Sequence, residues 1–211
     1  MNYLLSVIIF FMFSLKVFSQ EKGSRFENFE IEEGAGFDDF EKLDSLEKKL
    51  ATEFGHLSNG RSRLTIIDLT DTASKNRFPP YFNALSQAIF YADTLRVTTG
   101  IGFFAGMGVQ ILLKGSQFQI TYFEDADNAK VFKISENDEK FLSSIQIPAL
   151  KKNLTFAKPL KYVNGEILTG HFEMTTLPYF ENEQGTLVKK QYRISGTFSC
   201  AVRRFEEKSS R

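Results

Sequence analysis

The chain has 211 residues, of which 42% are apolar and 25% are charged, with 26 basic and 26 acidic side chains. This length and composition are those of one folded domain with a substantial core, and they exclude an intrinsically disordered chain. The formal net charge of zero argues against a nucleic-acid-binding protein, because such proteins normally carry a basic excess. The 23 Phe and 7 Tyr, with no Trp, favour a core built from β-strands and rich in aromatic rings.

Residues 1–19 predict an export signal. Tyr3 to Leu15 is a nearly unbroken apolar run, and Val17 and Ser19 precede a plausible cleavage point before Gln20. The run is shorter than the roughly 20 apolar residues that a membrane-spanning helix needs. We therefore expect an exported protein without a stable transmembrane span after cleavage, in the periplasm, at the outer-membrane surface or outside the cell. An uncleaved anchor is the alternative.

Residues 20–37 are acidic and contain several glycines, and we expect a mobile leader there. Residues 38–55 predict one amphipathic helix, which Asp38 or Asp39 can cap and Gly55 can end. Apolar residues recur there with helical spacing, at Phe40, Leu43, Leu46, Leu50 and Phe54. The apolar stripe is narrow, so we expect the helix to pack loosely on the domain, with a partner contact or a spacer role as alternatives.

The apolar pattern changes to a period of two after the predicted helix, and residues 63–205 are predicted to form one β domain. The stretch 117–122, "QFQITY", alternates polar and apolar residues without a fault. Short runs of this kind, separated by Gly, Asn and Asp, are typical of an antiparallel β-sandwich, and a β-barrel is the alternative. The stretch 81–92 also has helical spacing, but its place among strands favours a strand at about 86–92.

Two similar stretches near the C-terminus, "LTGHFEMTT" at 168–176 and "ISGTFSCAV" at 194–202, are predicted to be partner strands. Their alternation places both glycines and both phenylalanines on the buried face of a half-buried antiparallel sheet. Cys200 falls on the same face, which predicts a buried structural thiol. The turn-prone "NEQG" between the two stretches indicates a hairpin.

The two glycines suggest a register for this strand pair. If Phe180 pairs with Val188 in the hairpin, Gly170 lies opposite Phe198, and the glycine of the second strand lies opposite Phe172. Each ring then covers the bare backbone across from it, which is a known way to stabilise glycine in a sheet. We therefore predict that Gly170 pairs with Phe198.

A glycine-rich stretch, "GIGFFAGMG" at residues 100–108, is a candidate nucleotide-binding loop. A dinucleotide fingerprint must open a helix, and the strand-like "VQILL" follows instead. The stretch is therefore interpreted as a turn between strands. Phe103 and Phe104 stand at its tip, and exposed aromatic residues at a loop tip are candidate contact residues for a partner.

An acidic stretch, "FEDADNAKVF" at residues 123–132, offers Glu124, Asp125 and Asp127 as oxygen ligands for calcium. An EF-hand loop needs further ligands that this stretch lacks, and a solvated hairpin turn is the simpler interpretation. We expect no cofactor, with calcium as the alternative.

Candidate catalytic residues are few. The chain has two histidines, of which His171 lies beside Glu173 on the polar side of a predicted strand, and Arg193 lies on the polar side of its partner. We name these three as candidate binding residues. No Gly-x-Ser-x-Gly elbow is present, so a serine hydrolase of that type is not indicated. A hydrolase remains an alternative if Asp68, Glu124, Glu173 and His171 converge in one pocket.

Residues 80–205 resemble uncharacterised exported β-sandwich domains of the Bacteroidetes type. The resemblance is carried by "FNALSQAIFYADTLRVTTG", "GSQFQITYFED", "NLTFAKPLKYVNGEILTGHFEMTT" and "YRISGTFSCAVR". It implies the fold and export, and it implies no catalytic residues. We expect a non-enzymatic binding or envelope-structural module whose partner is an envelope protein, a glycan or a lipid. A glycan-active hydrolase on a jelly-roll-like sandwich is the alternative.

Overall fold

The computed structural model describes residues 25–33, 60–70, 81–101 and 106–204. The regular structure in these ranges is β-strand, which confirms the prediction of a mainly antiparallel β protein. The predicted signal at 1–19 and the predicted helix at 38–55 lie outside the described residues. Within the described ranges, no helix has the length and apolar character to cross a bilayer.

The described residues form thirteen strands. In chain order they are β1 Glu27–Asn28, β2 Glu30–Ile31, β3 Gly60–Asp68, β4 Phe82–Tyr91, β5 Thr94–Ile101, β6 Gly106–Lys114, β7 Gln117–Asp125, β8 Phe132–Lys133, β9 Ser144–Phe156, β10 Ile167–Thr176, β11 Tyr179–Glu183, β12 Thr186–Lys190 and β13 Tyr192–Arg204.

Eight of these strands form a closed ring. Its order is β3, β4, β5, β6, β7, β9, β10 and β13, and β13 pairs with β3 to complete the circuit. All neighbours in the ring are antiparallel. The chain therefore runs up and down around the ring, and strands that follow one another in sequence lie side by side. The short strands β12, β11 and β8 form a second sheet.

Along each strand, the side chains alternate between the inside and the outside of the ring. On β7, Phe118, Ile120 and Tyr122 are almost fully buried, as their alternation with polar residues predicts. Large rings also fill the interior from β9, β10 and β13, where Phe156 and Phe198 meet edge to face at 6.0 Å between ring centroids. The core is therefore aromatic and sheet-built, as the composition predicts.

The two similar stretches form β10 and β13, which are adjacent in the ring. Gly170 pairs with Phe198 and Phe172 with Gly196, so the predicted register is confirmed. A Cβ placed at Gly170 would lie 2.9 Å from the Phe198 ring, and one at Gly196 would lie 2.8 Å from the Phe172 ring. The rings therefore cover the glycines as expected.

The hairpin pairing from which that register was derived is wrong. Phe180 pairs with Lys189, and Val188 pairs with Glu181. The reason is that the hairpin closes with a two-residue turn, in which Gln184 and Gly185 both have positive φ, and that β11 and β12 join β8 in the second sheet, so their register does not continue that of β10 and β13. Cys200 is almost fully buried on the inner face of β13, which confirms a buried thiol, and burial raises its pKa to about 12.

The ambiguous stretch is a strand, β4, which begins at Phe82, four residues earlier than predicted. The glycine-rich stretch belongs to the β5–β6 hairpin, and its loop residues 102–105 lie outside the described residues. Gly100 and Gly108 pair with each other on the outer surface. A Cβ at either position would lie within 3.1 Å of the Phe123 ring. These glycines therefore let an aromatic ring lie close to the backbone.

The predicted mobile leader differs from the structure over residues 25–33, where β1 pairs with β7 and β2 pairs with β9. The cause is the closure of the ring. Strands β7 and β9 pair with each other only between Thr121–Asp125 and Ser144–Pro148. Beyond Pro148 their backbone groups need other hydrogen-bond partners. The acidic segment supplies these partners, so composition alone was a poor guide to its structure.

Candidate functional site

Two places in the described residues gather polar side chains that strand packing alone does not require. The first is a buried cluster at one end of the ring, beneath the β11–β12 hairpin, which we call the end cluster. It consists of Asp68, Tyr122, Glu124, Thr176, Tyr179, Glu181, Glu183, Lys190 and Tyr192. The second is the outer surface of β3, β13, β10 and β9, which we call the polar face.

The end cluster is centred on the carboxylate of Glu124. Glu124 follows Tyr122 by two residues on β7, so both side chains point into the ring. The hydroxyl groups of Tyr122 and Tyr179 both donate hydrogen bonds to Oε2 of Glu124, each at 2.8 Å. Burial raises the pKa of Glu124, and the two tyrosine hydrogen bonds oppose that rise because they favour the ionised form.

Three tyrosine rings enclose this carboxylate. The ring centroids of Tyr122, Tyr179 and Tyr192 lie 5.6 to 6.2 Å apart, within the range of favourable aromatic pairs. Burial raises the pKa of each hydroxyl, and the Glu124 carboxylate adds to that rise. The three phenols therefore stay protonated, and those of Tyr122 and Tyr179 act as hydrogen-bond donors to Glu124.

Lys190 supplies the positive charge of the end cluster. Its side chain is buried, its ammonium group contacts the carboxylate of Glu183, and it lies 3.9 Å from Oδ2 of Asp68. These contacts join β12 to β11 and to the end of β3. The hydroxyl of Thr176 accepts a hydrogen bond from the backbone N–H of Tyr192 at 2.9 Å. The end cluster thus ties the β11–β12 hairpin to the ring.

The end cluster carries more carboxylates than cations. Burial and the nearby Glu124 both raise the pKa of Glu181, which is half-buried on β11. Even so, the described residues contain no group of three or more His, Cys, Asp or Glu side chains arranged to hold a metal ion. The arrangement can close one end of the ring, and it contains a carboxylate, that of Glu124, whose charge changes with pH.

The three predicted calcium ligands are not brought together. Glu124 points into the ring, and Asp125 lies on the opposite side of the same strand because side chains alternate. Oδ1 of Asp125 instead accepts a hydrogen bond from the backbone N–H of Asp127 at 2.9 Å. Asp127 has a positive φ of 48°, which is the conformation of a tight turn. This part of the stretch is therefore a turn, but not a hairpin, because β7 and β8 belong to different sheets.

The three predicted binding residues do share one surface, the polar face. His171 and Glu173 are neighbours on β10, with 3.7 Å between Nε2 and Oε1. Nδ1 of His171 lies 3.4 Å from the hydroxyl of Thr197 on β13. Arg193 is exposed on β13 and pairs with Thr175. Phe103 and Phe104, the other candidates, lie outside the described residues.

The strand registers arrange the polar face in rows. The row nearest the end cluster contains Arg193, Thr175 and Lys151 on three adjacent strands, with Ile67 beyond Arg193. Strands lie about 4.8 Å apart, so the backbones of the two cations are separated by about 10 Å with a hydroxyl between them. Both cations are exposed. Because they bracket a hydroxyl, they can bind an extended anionic chain.

Cations and hydroxyls dominate the outward positions of these four strands. The cations are Arg61, Arg63, Lys151, Arg193 and Arg203, and the hydroxyls are Thr65, Thr155, Thr169, Thr175, Ser195, Thr197 and Ser199. Among these outward positions, Glu173 carries a carboxylate. Glu30 of β2 lies at the edge of the polar face, where it pairs with Thr155. The polar face therefore carries an excess of positive charge.

The four residues required for a hydrolase fall into two separate places. Asp68 and Glu124 belong to the end cluster inside the ring. His171 and Glu173 lie on the polar face, and 66% of the Glu173 side chain is exposed. Residues on opposite sides of a sheet do not share a pocket.

Sequence reasoning missed several residues of the end cluster and of the polar face, although the sequence pattern indicated some of them. Lys190 stands two residues before Tyr192, at an inward position of the alternating pattern, where a lysine is unexpected. Extending the alternation of β7 by two residues would have placed Glu124 inward. Tyr179 and Lys151 carried no such signal, because their neighbours depend on pairings between strands that are distant in sequence.

Comparisons of the chain with protein-family models, with curated proteins and with solved structures find no match. The resemblance to exported domains of the Bacteroidetes type therefore stays an expectation. The function has to be inferred from the polar face and the end cluster themselves.

Proposed function

We propose that this protein is an exported, non-enzymatic binding module whose polar face holds an acidic glycan of the cell envelope. The observation that carries the proposal is the row Arg193–Thr175–Lys151, in which two exposed cations flank a hydroxyl across three adjacent strands. Carboxylate, sulfate or phosphate groups along a sugar chain match such a row, and the remaining hydroxyl groups of the face can bind the sugar hydroxyls.

The chemistry of the polar face favours a glycan over other polyanions. A single-stranded nucleic acid is usually held by aromatic rings on which its bases stack. The outward positions of β3, β13, β10 and β9 carry no Phe, Tyr or Trp. Exposed apolar residues are present on these strands, at Leu150 and Ile167, but the registers place them at opposite ends of the face, so they do not form the single apolar anchor that a membrane surface favours. Flat rows of Thr and Ser supply hydroxyl donors and acceptors instead, which suits a sugar chain.

The hydrolase alternative is less well supported. It requires Asp68, Glu124, Glu173 and His171 in one pocket, and these residues occupy the end cluster and the polar face separately. Glu124 is held by two tyrosine hydroxyls inside the ring, a geometry that suits closure of the ring better than contact with substrate. A binding role does not require these four residues to share a pocket, so it fits the arrangement with fewer assumptions.

We also infer that the ring is a small barrel and not two separate sheets facing each other. Support comes from the pairing of β7 with β9 over five positions, which leaves each of the eight strands with a neighbour on both sides. Eight strands enclose an interior just wide enough for side chains, and buried Phe and aliphatic side chains occupy it here. A ligand would then bind outside, as the polar face suggests.

The test is binding of alginate oligosaccharides, which carry one carboxylate per sugar, by isothermal titration calorimetry. We expect the variant Lys151→Gln/Arg193→Gln to bind about twofold to thirtyfold more weakly, because each exposed ion pair contributes roughly 0.2–1 kcal/mol. Binding by the unmodified protein should also weaken as salt is added, because salt screens exposed charges.

The matched control is Lys130→Gln/Lys140→Gln, which removes two exposed lysines from the segment between β7 and β9. It lowers the net charge equally and should leave binding unchanged. The proposal fails if both double variants lose the same affinity, since only net charge would then matter. It also fails if a neutral dextran or a single-stranded oligonucleotide binds as tightly as alginate.

A further inference from the structure

The place where the ring closes has an unusual construction. Strands β7 and β9 pair over five positions and then diverge after Pro148. Proline has no N–H to continue a ladder, and Leu150 is an extra residue at which the register of β9 with β10 shifts. Such a bulge bends its strand. The result is a gap between β7 and β9, which we call the seam.

Residues 25–33 of the same chain occupy the seam as an extended segment. On one side, the backbone N–H of Phe29 donates to the carbonyl of Ser116 at 3.2 Å, next to β7. On the other side, the N–H of Glu32 donates to the carbonyl of Phe156 on β9 at 2.9 Å. The seam therefore accepts main-chain hydrogen bonds on both edges, as sheets do when they bind an added strand.

Two side-chain contacts give this segment a register. The ring of Phe29 meets Phe156 edge to face, with 5.1 Å between centroids. The ammonium group of Lys152 donates to the carbonyl of Arg25 and lies 3.5 Å from Oε1 of Glu27. Only 3% of the Lys152 side chain is exposed, so these acceptors replace water around its ammonium group. Within this chain, the seam thus contacts a carboxylate two positions before an aromatic ring.

The strands of the segment are short, and its buried contacts are those of Phe29 and Lys152. Strands β1 and β2 have two residues each, and the side chains of all four residues are exposed. Residues 34–59 separate the segment from β3, so the ring itself does not depend on a short connection to it. Regions with few buried contacts open at a low free-energy cost compared with the core. The segment can therefore leave the seam while the ring stays folded.

We propose that the seam is a strand-acceptor site that binds an extended peptide of a partner protein carrying a carboxylate two residues before an aromatic ring. Residues 25–33 fill the site within the chain and compete with the partner. The site is separate from the polar face, so either proposal can fail alone. An added peptide must displace the segment, which lowers its apparent affinity by the fraction of time that the seam is occupied.

The experiment uses the full chain and a fluorescent peptide with the sequence of residues 25–33, with binding measured by anisotropy. Replacing Phe29→Ala or Glu27→Gln in the peptide should weaken binding about tenfold, because an aromatic contact or an ion pair with a buried lysine is lost. A peptide with Glu30→Gln is the matched control and should bind unchanged, because Glu30 contributes backbone pairing with Thr155.

The competing segment is tested by making the same change in the chain. A full chain with Phe29→Ala should bind the unmodified peptide about tenfold more tightly than the unmodified chain does, because its own segment competes less. Circular dichroism checks that this chain is folded, and a chain with Glu27→Gln replaces it if it is not. No binding to any folded chain, or equal binding of all the peptides, overturns the proposal.

A dimer provides the remaining outcome. If the unmodified chain forms a concentration-dependent dimer on size exclusion, and Phe29→Ala abolishes it, the occupant is the segment of a second copy. That result would contradict the assignment to a separate partner. A monomer that binds the peptide supports the assignment.

Discussion

Glu124 is the residue at which burial and hydrogen bonding compete most directly. Its carboxylate lies inside the ring and accepts two tyrosine hydrogen bonds on one oxygen. Burial nevertheless raises its pKa above the 4.5 of an exposed glutamate. The folded state therefore takes up a proton more readily than the unfolded state, so stability falls as pH rises from 4.5 through the folded pKa.

Replacing Glu124→Gln removes this charge and keeps an oxygen that can accept from both tyrosines. We expect the variant to be more stable than the unmodified protein at pH 7. The difference should disappear below about pH 4.5, where the glutamate is protonated in both the folded and the unfolded protein. The measurement is the free energy of unfolding in urea at pH 4 and pH 7.

The control for this comparison is Glu173→Gln, which removes an exposed carboxylate from the polar face. Its effect should stay within about 0.5 kcal/mol. A Glu124→Gln variant that is less stable than the unmodified protein at pH 7 would show that the ionised carboxylate stabilises the end cluster.

At the scale of elements, β10 and β13 show how a repeated sequence can serve packing. Each strand has a glycine that faces an aromatic ring of the other, and all four residues point inward. The outward positions of the same strands carry His171, Glu173 and Arg193. One strand pair thus builds the core on one side and the polar face on the other, because side chains alternate.

The variant Gly196→Ala tests this packing. Its new Cβ would lie 2.6 Å from Cδ2 of Leu64 and 2.8 Å from the Phe172 ring. These atoms belong to buried side chains, so relief requires repacking, and we expect a loss of about 1–3 kcal/mol in the free energy of unfolding. Thermal and urea unfolding provide the measurement.

Ser195→Ala is the neighbouring control, because Ser195 lies on the outer side of the same strand. Its effect should be within about 0.5 kcal/mol. If Gly196→Ala is equally mild, the Phe172 ring does not lie against the backbone of β13 as described.

The β11–β12 hairpin shows where prediction by element stops. The sequence indicated its turn, and the turn is present between Glu183 and Thr186. Its register was predicted wrongly, because a two-residue turn, with Gln184 and Gly185 both at positive φ, pairs Glu183 with Thr186. Its place in a second sheet depends on β8, which lies some fifty residues earlier in the chain. A strand of two residues has no periodic pattern, so nothing local could reveal the third member of that sheet.

At the scale of the whole molecule, a neutral chain separates its charges. Cations concentrate on the polar face, whereas carboxylates gather in the end cluster and in residues 25–33. Although its net charge is zero, the protein therefore has a surface that can attract a polyanion. Net charge describes solubility and long-range attraction, but it does not report how charge is distributed over a fold.

The pairing of distant strands explains which features could and could not be predicted from sequence. Local alternation identified the inward faces of β7, β10 and β13, and it placed His171, Glu173 and Arg193 on one surface. The ring closure, the seam and the row containing Lys151 depend on which distant strands become neighbours. The alternation of a single strand does not determine that choice, since a sandwich and a closed ring share the same pattern.

The most direct test of the proposed function maps the bound glycan onto the chain. Amide chemical shifts of the labelled protein are followed by NMR during titration with alginate oligosaccharides. We expect the largest changes at Lys151, Thr175 and Arg193 and at their neighbours on the polar face. Changes centred on the β5–β6 hairpin, which carries Phe103 and Phe104, or on the β11–β12 hairpin would contradict a binding site on the polar face.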